Sequence, residues 1–401
     1  MRPGGRDGAA PGHSTVTANV IVVGLGAFGS AITHHLARRG ARVIGIDRFH
    51  PPHDQGSSHG ESRITRLAVG EGADYVPFVT RSHALWRELE AETGAALYRR
   101  TGGVVIASAD ADRKAYHGQS AFFRCTVDLA ARFGIAHELL DAAEIRHRYP
   151  QFEARDDEHG YLERDAGVLA PERCVRAQLQ AAASCGAVLR LGERVVVLEE
   201  DGDGMAVVTD RARLHADHVV IATGAWLPAL VGGAFSERLK VRRQVLQWFR
   251  ATAPQRWAPE VCPVFIWLHG GSADDEMYGF PMGDGLDGVK VATEQTTDTT
   301  DPDAVDRVVG DGYARAVFEH HVRGRLRDLV PEVVHSATCL YTVAPGSRFV
   351  VDRHPRFERV TVVSACSGHG FKHSAGLGEA VAQRVLGEVT GLDLSMFAMP
   401  A

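Results

Sequence analysis

Gly24-Leu25-Gly26-Ala27-Phe28-Gly29 has the glycine spacing of a turn that receives the pyrophosphate of a dinucleotide. The three glycines serve different ends, since Gly24 permits a tight strand-to-helix turn, Gly26 lets a pyrophosphate reach the backbone, and Gly29 lets the helix sit close to the sheet. Asp47 then stands where a ribose hydroxyl is held. The pattern alone does not separate FAD from a nicotinamide cofactor. Lysines come next. Of the 44 basic residues only Lys114, Lys240, Lys290 and Lys372 are lysines, and the last two lie among apolar or glycine neighbours. A lysine kept in such a chain is a candidate for work that a bulky, permanently charged guanidinium cannot do. The six cysteines (Cys125, Cys174, Cys185, Cys262, Cys339, Cys366) include no Cys-x-x-Cys pair, which points away from a zinc site or a disulfide framework. A reactive cysteine would act alone, and no metal is expected.

The elements that must hold these residues follow from periodicity. Val20 to Val23 reads as a buried strand, Phe28, Ile32 and Leu36 as one face of a helix stopped at Gly40, and Arg42 to Ile46 as a second parallel strand. Beyond a Pro- and His-rich loop, Pro77 to Glu92 has Phe78, Leu85, Trp86 and Leu89 on one helical face and ends at Gly94. A second α/β block follows, with a helix around Cys174 to Cys185, strands near Leu189 and at 194–197, and a strand 218–223 that ends on the Gly224 turn. From Lys240 to about Tyr341 the segments are short, alternating and aromatic, as in an antiparallel sheet, with one helix expected over 314–329 and closed by Pro331. The end returns to α/β character, with a strand at 360–364 and a helix at 377–386.

At 401 residues the chain exceeds one ordinary core, so two domains are expected. A net charge of −6 shows no basic excess, which argues against nucleic acid or a membrane surface as partner and favours a small molecule. Residues 1–18 are rich in Gly, Pro and Ala without the apolar core of a secretory signal, and no segment is long enough to span a bilayer. They read as a disordered tail, and the protein as cytoplasmic.

Ser57-Ser58-His59-Gly60-Glu61-Ser62-Arg63-Ile64-Thr65-Arg66, Met277-Tyr278-Gly279-Phe280-Pro281, Cys339-Leu340-Tyr341-Thr342 and Ser367-Gly368-His369-Gly370-Phe371-Lys372, with Lys290 among them, carry a more specific signal. Through these motifs the chain resembles the monomeric sarcosine oxidase and N-methyltryptophan oxidase family of flavoenzymes, from about Val20 to Phe397. The resemblance implies an α/β and α+β fold: a Rossmann-like FAD-binding domain of the glutathione-reductase/D-amino-acid-oxidase type (19–98, 155–235 and 343–401) with an inserted antiparallel-sheet substrate domain (99–154 and 236–342). It implies FAD bound near Ser57, His59, Arg63, Val196, Gly224, Gly368, His369 and Gly370, and a thioether to Cys339. A thiolate suits that bond, since it is the side-chain nucleophile reactive enough near neutral pH. The other five cysteines read as packed residues.

By the same resemblance Arg66 and Lys372 clamp a substrate carboxylate, His59 and Arg63 supply positive charge beside the flavin, Lys290 activates dioxygen, and Tyr278 and Tyr341 wall the pocket. The implied activity is oxidation of a secondary amino acid, N-methylated or cyclic, to an imine, with O2 as acceptor and H2O2 as product, by a monomer. Plainer readings stand beside these: Arg66 paired with a carboxylate such as Glu61, Lys372 capping a helix, Lys290 guarding a strand edge, both tyrosines in a core. A dehydrogenase on the same scaffold, an oxidase of a primary amino acid, a flavoprotein with FAD as structural support and a nicotinamide enzyme are the rival functions. Two positions depart from the family: Glu294 stands where sarcosine-specific members carry histidine, and His373 where a phenyl side chain is common. Either would alter the pocket if it reached it.

Overall fold

The computed structural model describes residues 17–111, 115–272, 274–283 and 285–399. The expected tail lies outside the described residues up to residue 16, but its last two residues do not belong to it, because the first strand already begins at Thr17. That strand, Thr17–Val23, is central to a mainly parallel sheet. Val43–Asp47 and then Val188–Leu191 lie on one side of it, and Arg213–Ile221 and then Val360–Ser364 on the other. Ile21, Val22, Ile44 and Ile46 are buried because helices or a meander cover both faces, which is why these strands read as unbroken apolar runs. The helices Ala27–Arg38, Pro171–Ser184 and Ser374–Val385 cover one face. An antiparallel meander, Val195–Asp201 with Gly204–Thr209 and the start of Arg213–Ile221, extends the sheet.

A second eight-stranded sheet runs in the order Leu329–Val343, Lys240–Ala251, Val289–Ala292, Glu276–Gly279, Val264–Leu268, Gly103–Ala107, His159–Glu163, Glu138–Asp141. It is antiparallel except where Val264–Leu268 meets Gly103–Ala107. One face buries a core that includes Phe152, Phe249, Trp257, Phe265 and Trp267, and the other turns toward the first domain. His159–Glu163 pairs on both sides within this sheet, with Gly103–Ala107 and with Glu138–Asp141. A small sheet of Arg63–Thr65, Gly167–Leu169 and Tyr98–Arg100 joins the two units.

The helix expected over 314–329 is shorter and earlier. It spans Asp311–Val317, widens into a π-turn to Val322, and gives way at Gly324 and Asp328, both with positive φ, to the strand that starts at Leu329. Pro331 therefore sits in a strand and closes no helix. That strand lies at the edge of the sheet, where a missing N–H is tolerated.

Candidate active site

One long cleft runs between the domains from the Gly24 turn to Lys372. At its first end backbone does the work. Gly24 has φ +88°, and a Cβ there would stand 2.6 Å from the Ala222 carbonyl oxygen; a Cβ on Gly29 would stand 1.7 Å from the Gly24 oxygen. No side chain fits at either position. Asp47 accepts from the amides of Leu25 and Phe49, both at 2.8 Å, and so ties the turn to the end of the second strand. Ser58 Oγ accepts from the Ala27 amide at the start of the helix (3.1 Å). Gly24, Gly26, Asp47, Gly224 and Trp226 line the walls. Val196 does not: strand alternation turns it outward, about half exposed, and Val195 lines the cleft in its place.

Midway stand Ser57, Arg63 and Lys290. Arg63 donates to the carbonyls of Ser57 (2.6 Å) and Ser62 (2.8 Å). Lys290 is interior to its sheet and guards no edge; its Nζ donates to Gly60 O (2.7 Å), Ser62 O (3.0 Å) and Ser62 Oγ (3.1 Å), between the rings of Trp248 and Phe280. Burial, reinforced by Arg63, holds its ammonium well below the ordinary lysine range. His59 is buried with Nε2 unpartnered, and burial together with Arg63 pushes it down to about 4. It is therefore neutral near pH 7, and the positive charge expected of His59 and Arg63 together rests on Arg63. Cys339 is buried behind this wall, its Sγ 3.8 Å from both Arg63 Nη2 and Ser57 O. Burial pushes its thiol up and Arg63 pulls it back. Of the cysteines read as packed, Cys174 and Cys262 are buried, Cys185 is exposed, and Cys366 lines the cleft.

At the far end charge gathers. Arg66 and Lys372 converge as expected, but on a carboxylate of the protein: Arg66 Nη2 meets Glu71 Oε2 at 2.9 Å and Lys372 Nζ meets Glu71 Oε1 at 3.1 Å. Arg66 also donates to the Ala68 carbonyl and Lys372 to that of His369. The partner of Arg66 is Glu71 and not Glu61. Lys372 caps no helix end, since it precedes the helix Ser374–Val385. Burial would raise the Glu71 carboxyl, but Lys372 and Arg66 hold it well below its usual range; Lys372 itself is lowered by burial to about 8. Glu71 Oε1 also accepts from His117 Nδ1 (3.2 Å), whose Nε2 meets Glu294 Oε1 at 2.6 Å. Against the cost of burial, these two carboxylates raise the imidazolium to about 9. The Tyr278 and Tyr341 hydroxyls touch at 3.2 Å and line the cleft, so neither ring is merely core. Gly368, His369 and Gly370 form the floor. Glu294 reaches the pocket; His373 does not, being fully buried against Tyr75 and Phe349.

Glu71, His117 and Glu172 are not singled out by the sequence. Glu172 accepts from the amides of Gly60 and Glu61 and fixes the loop that carries His59. The signal for Glu71 is its place between Gly70 and Gly72, five residues after Arg66. That for His117 is its neighbour Gly118 in a two-strand turn.

The cleft fits an adenine dinucleotide with a reactive ring. Gly24 and Gly29 let the turn close on the protein's own backbone, Gly26 and the buried, unpartnered Thr223 Oγ1 line the cleft beside it, and an apolar sheet lies beneath. Residues 19–384 match the family described as FAD dependent oxidoreductase, and the chain belongs to it. Within that family it is of the monomeric sarcosine oxidase and N-methyltryptophan oxidase type. It is 39% identical to the monomeric sarcosine oxidase of Streptomyces avermitilis over 389 residues, 95% of this chain and 97% of the relative. It is 30% identical to the N-methyl-L-tryptophan oxidase of Salmonella enteritidis over 392 residues, 95% and 98% of the two chains. Among solved structures it resembles NikD, described as an unusual amino acid oxidase essential for nikkomycin biosynthesis, with TM-score 0.80 and 24% identity over 96% of this chain and 98% of that one. The glycine oxidase of Geobacillus kaustophilus follows the same fold at TM-score 0.74 and 22% identity, covering 96% and 99%. Among the described residues no helix is long and apolar enough to cross a membrane.

Proposed function

We propose that the chain oxidises a secondary amino acid, N-methylated or cyclic, with dioxygen as electron acceptor. The observation that carries this is the pair of buried cations, Arg66 and Lys372, set on one carboxylate at the end of a dinucleotide cleft. FAD, when bound, would supply the two-electron chemistry that oxidises the substrate's carbon–nitrogen bond to an imine and reduces O2 to H2O2, with water hydrolysing the imine to a carbonyl compound and an amine. The protein supplies position and charge. A substrate carboxylate competes with Glu71 for Arg66 and Lys372, and two charge-assisted hydrogen bonds then fix its orientation in a site that excludes water. Arg63, anchored by two carbonyls, offers a fixed positive charge where negative charge develops.

Lys290 lies between cradle and clamp, and we assign it to the oxygen step: burial and Arg63 oppose its charge, and negative charge developing on oxygen beside it would favour the ammonium and be stabilised by it in turn. Cys339 is proposed as the covalent attachment point; Arg63 at 3.8 Å supports its thiolate. Cys366, which lines the cleft, is the alternative nucleophile, and mass spectrometry of denatured Cys339→Ser and Cys366→Ser distinguishes them. The functional test is anaerobic mixing with N-methyl, cyclic and primary amino acids. Bleaching of the flavin band by the first two groups, then rapid recovery and peroxide in air, is expected. Bleaching without recovery would establish a dehydrogenase, and no bleaching would overturn the amino-acid reading.

A further inference from the structure

Glu294 is the one acidic side chain of the pocket that its neighbours leave half satisfied among the described residues. Its backbone is fixed by a hydrogen bond from its amide to Glu276 Oε1 (2.9 Å), and Thr293 alone separates it from the end of the interior strand Val289–Ala292. His117 Nε2 braces its Oε1 at 2.6 Å, and His117 is itself anchored on Glu71. The space for this pair depends on Gly368, where a Cβ would stand 2.8 Å from Glu294 Oε1, 3.2 Å from His117 Nε2 and 3.3 Å from Tyr341 Cε2. The side chain is 13% exposed and lines the cleft. Among the described residues nothing donates to its Oε2.

A largely buried carboxylate is costly unless its oxygens are paired. Among the described residues the Tyr278 and Tyr341 hydroxyls meet each other at 3.2 Å, and neither makes a hydrogen bond to Glu294. Its Oε2 stays open to the cleft, where a donor on the ligand can take the place of solvent. The reacting nitrogen is a poor candidate, since a carboxylate against it would stabilise its protonated form, which has no lone pair to release into an imine. We propose that Glu294, braced by His117, selects the substrate side chain: its Oε2 receives an amine or guanidine N–H from a basic amino acid whose carboxylate lies on Arg66 and Lys372. This rests on the amino-acid oxidase reading and adds the substrate class to it. Histidine at this position could accept only one hydrogen bond, and a carboxylate changes what the pocket asks for.

The test uses the holoenzyme and matched pairs: Nα-methyl-L-ornithine against N-methyl-L-norvaline, and Nα-methyl-L-lysine against N-methyl-L-norleucine. The wild type is expected to favour at least one basic member by tenfold or more in kcat/KM, mostly through KM. Glu294→Gln is expected to shrink that preference to under threefold, and Glu294→Asp to keep part of it, with FAD content showing that each variant folds. Preference for the neutral members in the wild type would overturn the proposal. So would equal losses on both members in Glu294→Gln, which would place the carboxylate at the reacting nitrogen or in the shape of the pocket. If no amino acid bleaches the flavin, the functional reading itself fails, and the selectivity proposal goes with it.

Discussion

The two ends of the cleft are made of different materials. The cradle is backbone, formed by one strand–helix–strand unit between Thr17 and Asp47, and its shape is set by what is absent from Gly24 and Gly29. The clamp is side chains delivered from far apart in the chain; Lys372 and Glu71 are separated by 301 residues. Shape holds the cofactor end and charge holds the substrate end. A defect in the first is a collision, which the turn cannot absorb by degrees. A defect in the second leaves a fold intact and a charge unbalanced, so its effects are graded and pH-dependent.

The largest effect should therefore come from one methyl group in the cradle. Gly29→Ala would place a carbon 1.7 Å from a backbone oxygen that cannot move without opening the turn. The expected product is insoluble or free of FAD, read from the flavin-to-protein absorbance ratio. Gly391→Ala, with nothing within 4 Å of its Cβ, should stay yellow and active. A yellow Gly29→Ala protein would erase the contrast between the two ends.

Next in size is the clamp. Arg66→Gln removes the fork and leaves Glu71 with Lys372 and His117, both on its Oε1, and breaking a buried pair from one side costs about 3–5 kcal/mol. On an amino-acid substrate kcat/KM should fall about 100- to 1,000-fold while the flavin content stays near normal. Glu71→Gln should act with the opposite sign, tightening the binding of a simple carboxylate inhibitor several-fold by freeing both cations. Looser binding in Glu71→Gln would mean that Glu71 organises the clamp and does not compete with the ligand.

The same contrast explains what is legible in the sequence. The cradle reads directly because the turn, the helix face of Phe28, Ile32 and Leu36, and the acid at Asp47 are consecutive in the chain. Arg66, Lys290, Lys372 and Tyr278 are readable through their motifs, and the structure brings them to one cleft. Glu71, His117 and the reach of Glu294 depend on which loops meet across two domains, and no local period records that. Val196 falls on the wrong side because a strand misplaced by one residue changes face. The charge expected on His59 fails for another reason: burial, which composition does not show, makes it neutral.

Between the two ends, Lys290 offers a smaller and more selective effect. Lys290→Met keeps an apolar stem between Trp248 and Phe280 but abandons three carbonyl or hydroxyl acceptors on Gly60 and Ser62. Stopped-flow mixing should show reoxidation by air slowed at least tenfold more than anaerobic reduction by substrate. Equal slowing of both halves would make Lys290 a brace for the Gly60 loop.

The mildest test changes only pH. Lys372 is lowered to about 8 and must carry its proton to hold a carboxylate, so the dissociation constant of an inert carboxylate ligand should be flat below pH 8 and rise above it, by up to tenfold per unit. His117 works in the same direction on stability. Its folded value of about 9 lies above the ordinary 6.5, so its two carboxylate bonds stabilise the fold fully below pH 6.5 and lose that contribution as pH rises toward 9. The loss is on the order of 1–3 kcal/mol for a shift of this kind. The difference in unfolding free energy between wild type and His117→Gln should accordingly be widest near pH 6 and narrow by pH 9.5. The cradle is built from amides and glycines, and burial lowers the His53 imidazole beside Asp47, away from the interval in which the clamp weakens. FAD retention should therefore stay level across the interval in which the clamp weakens, and a parallel loss of flavin would show that the two ends are coupled.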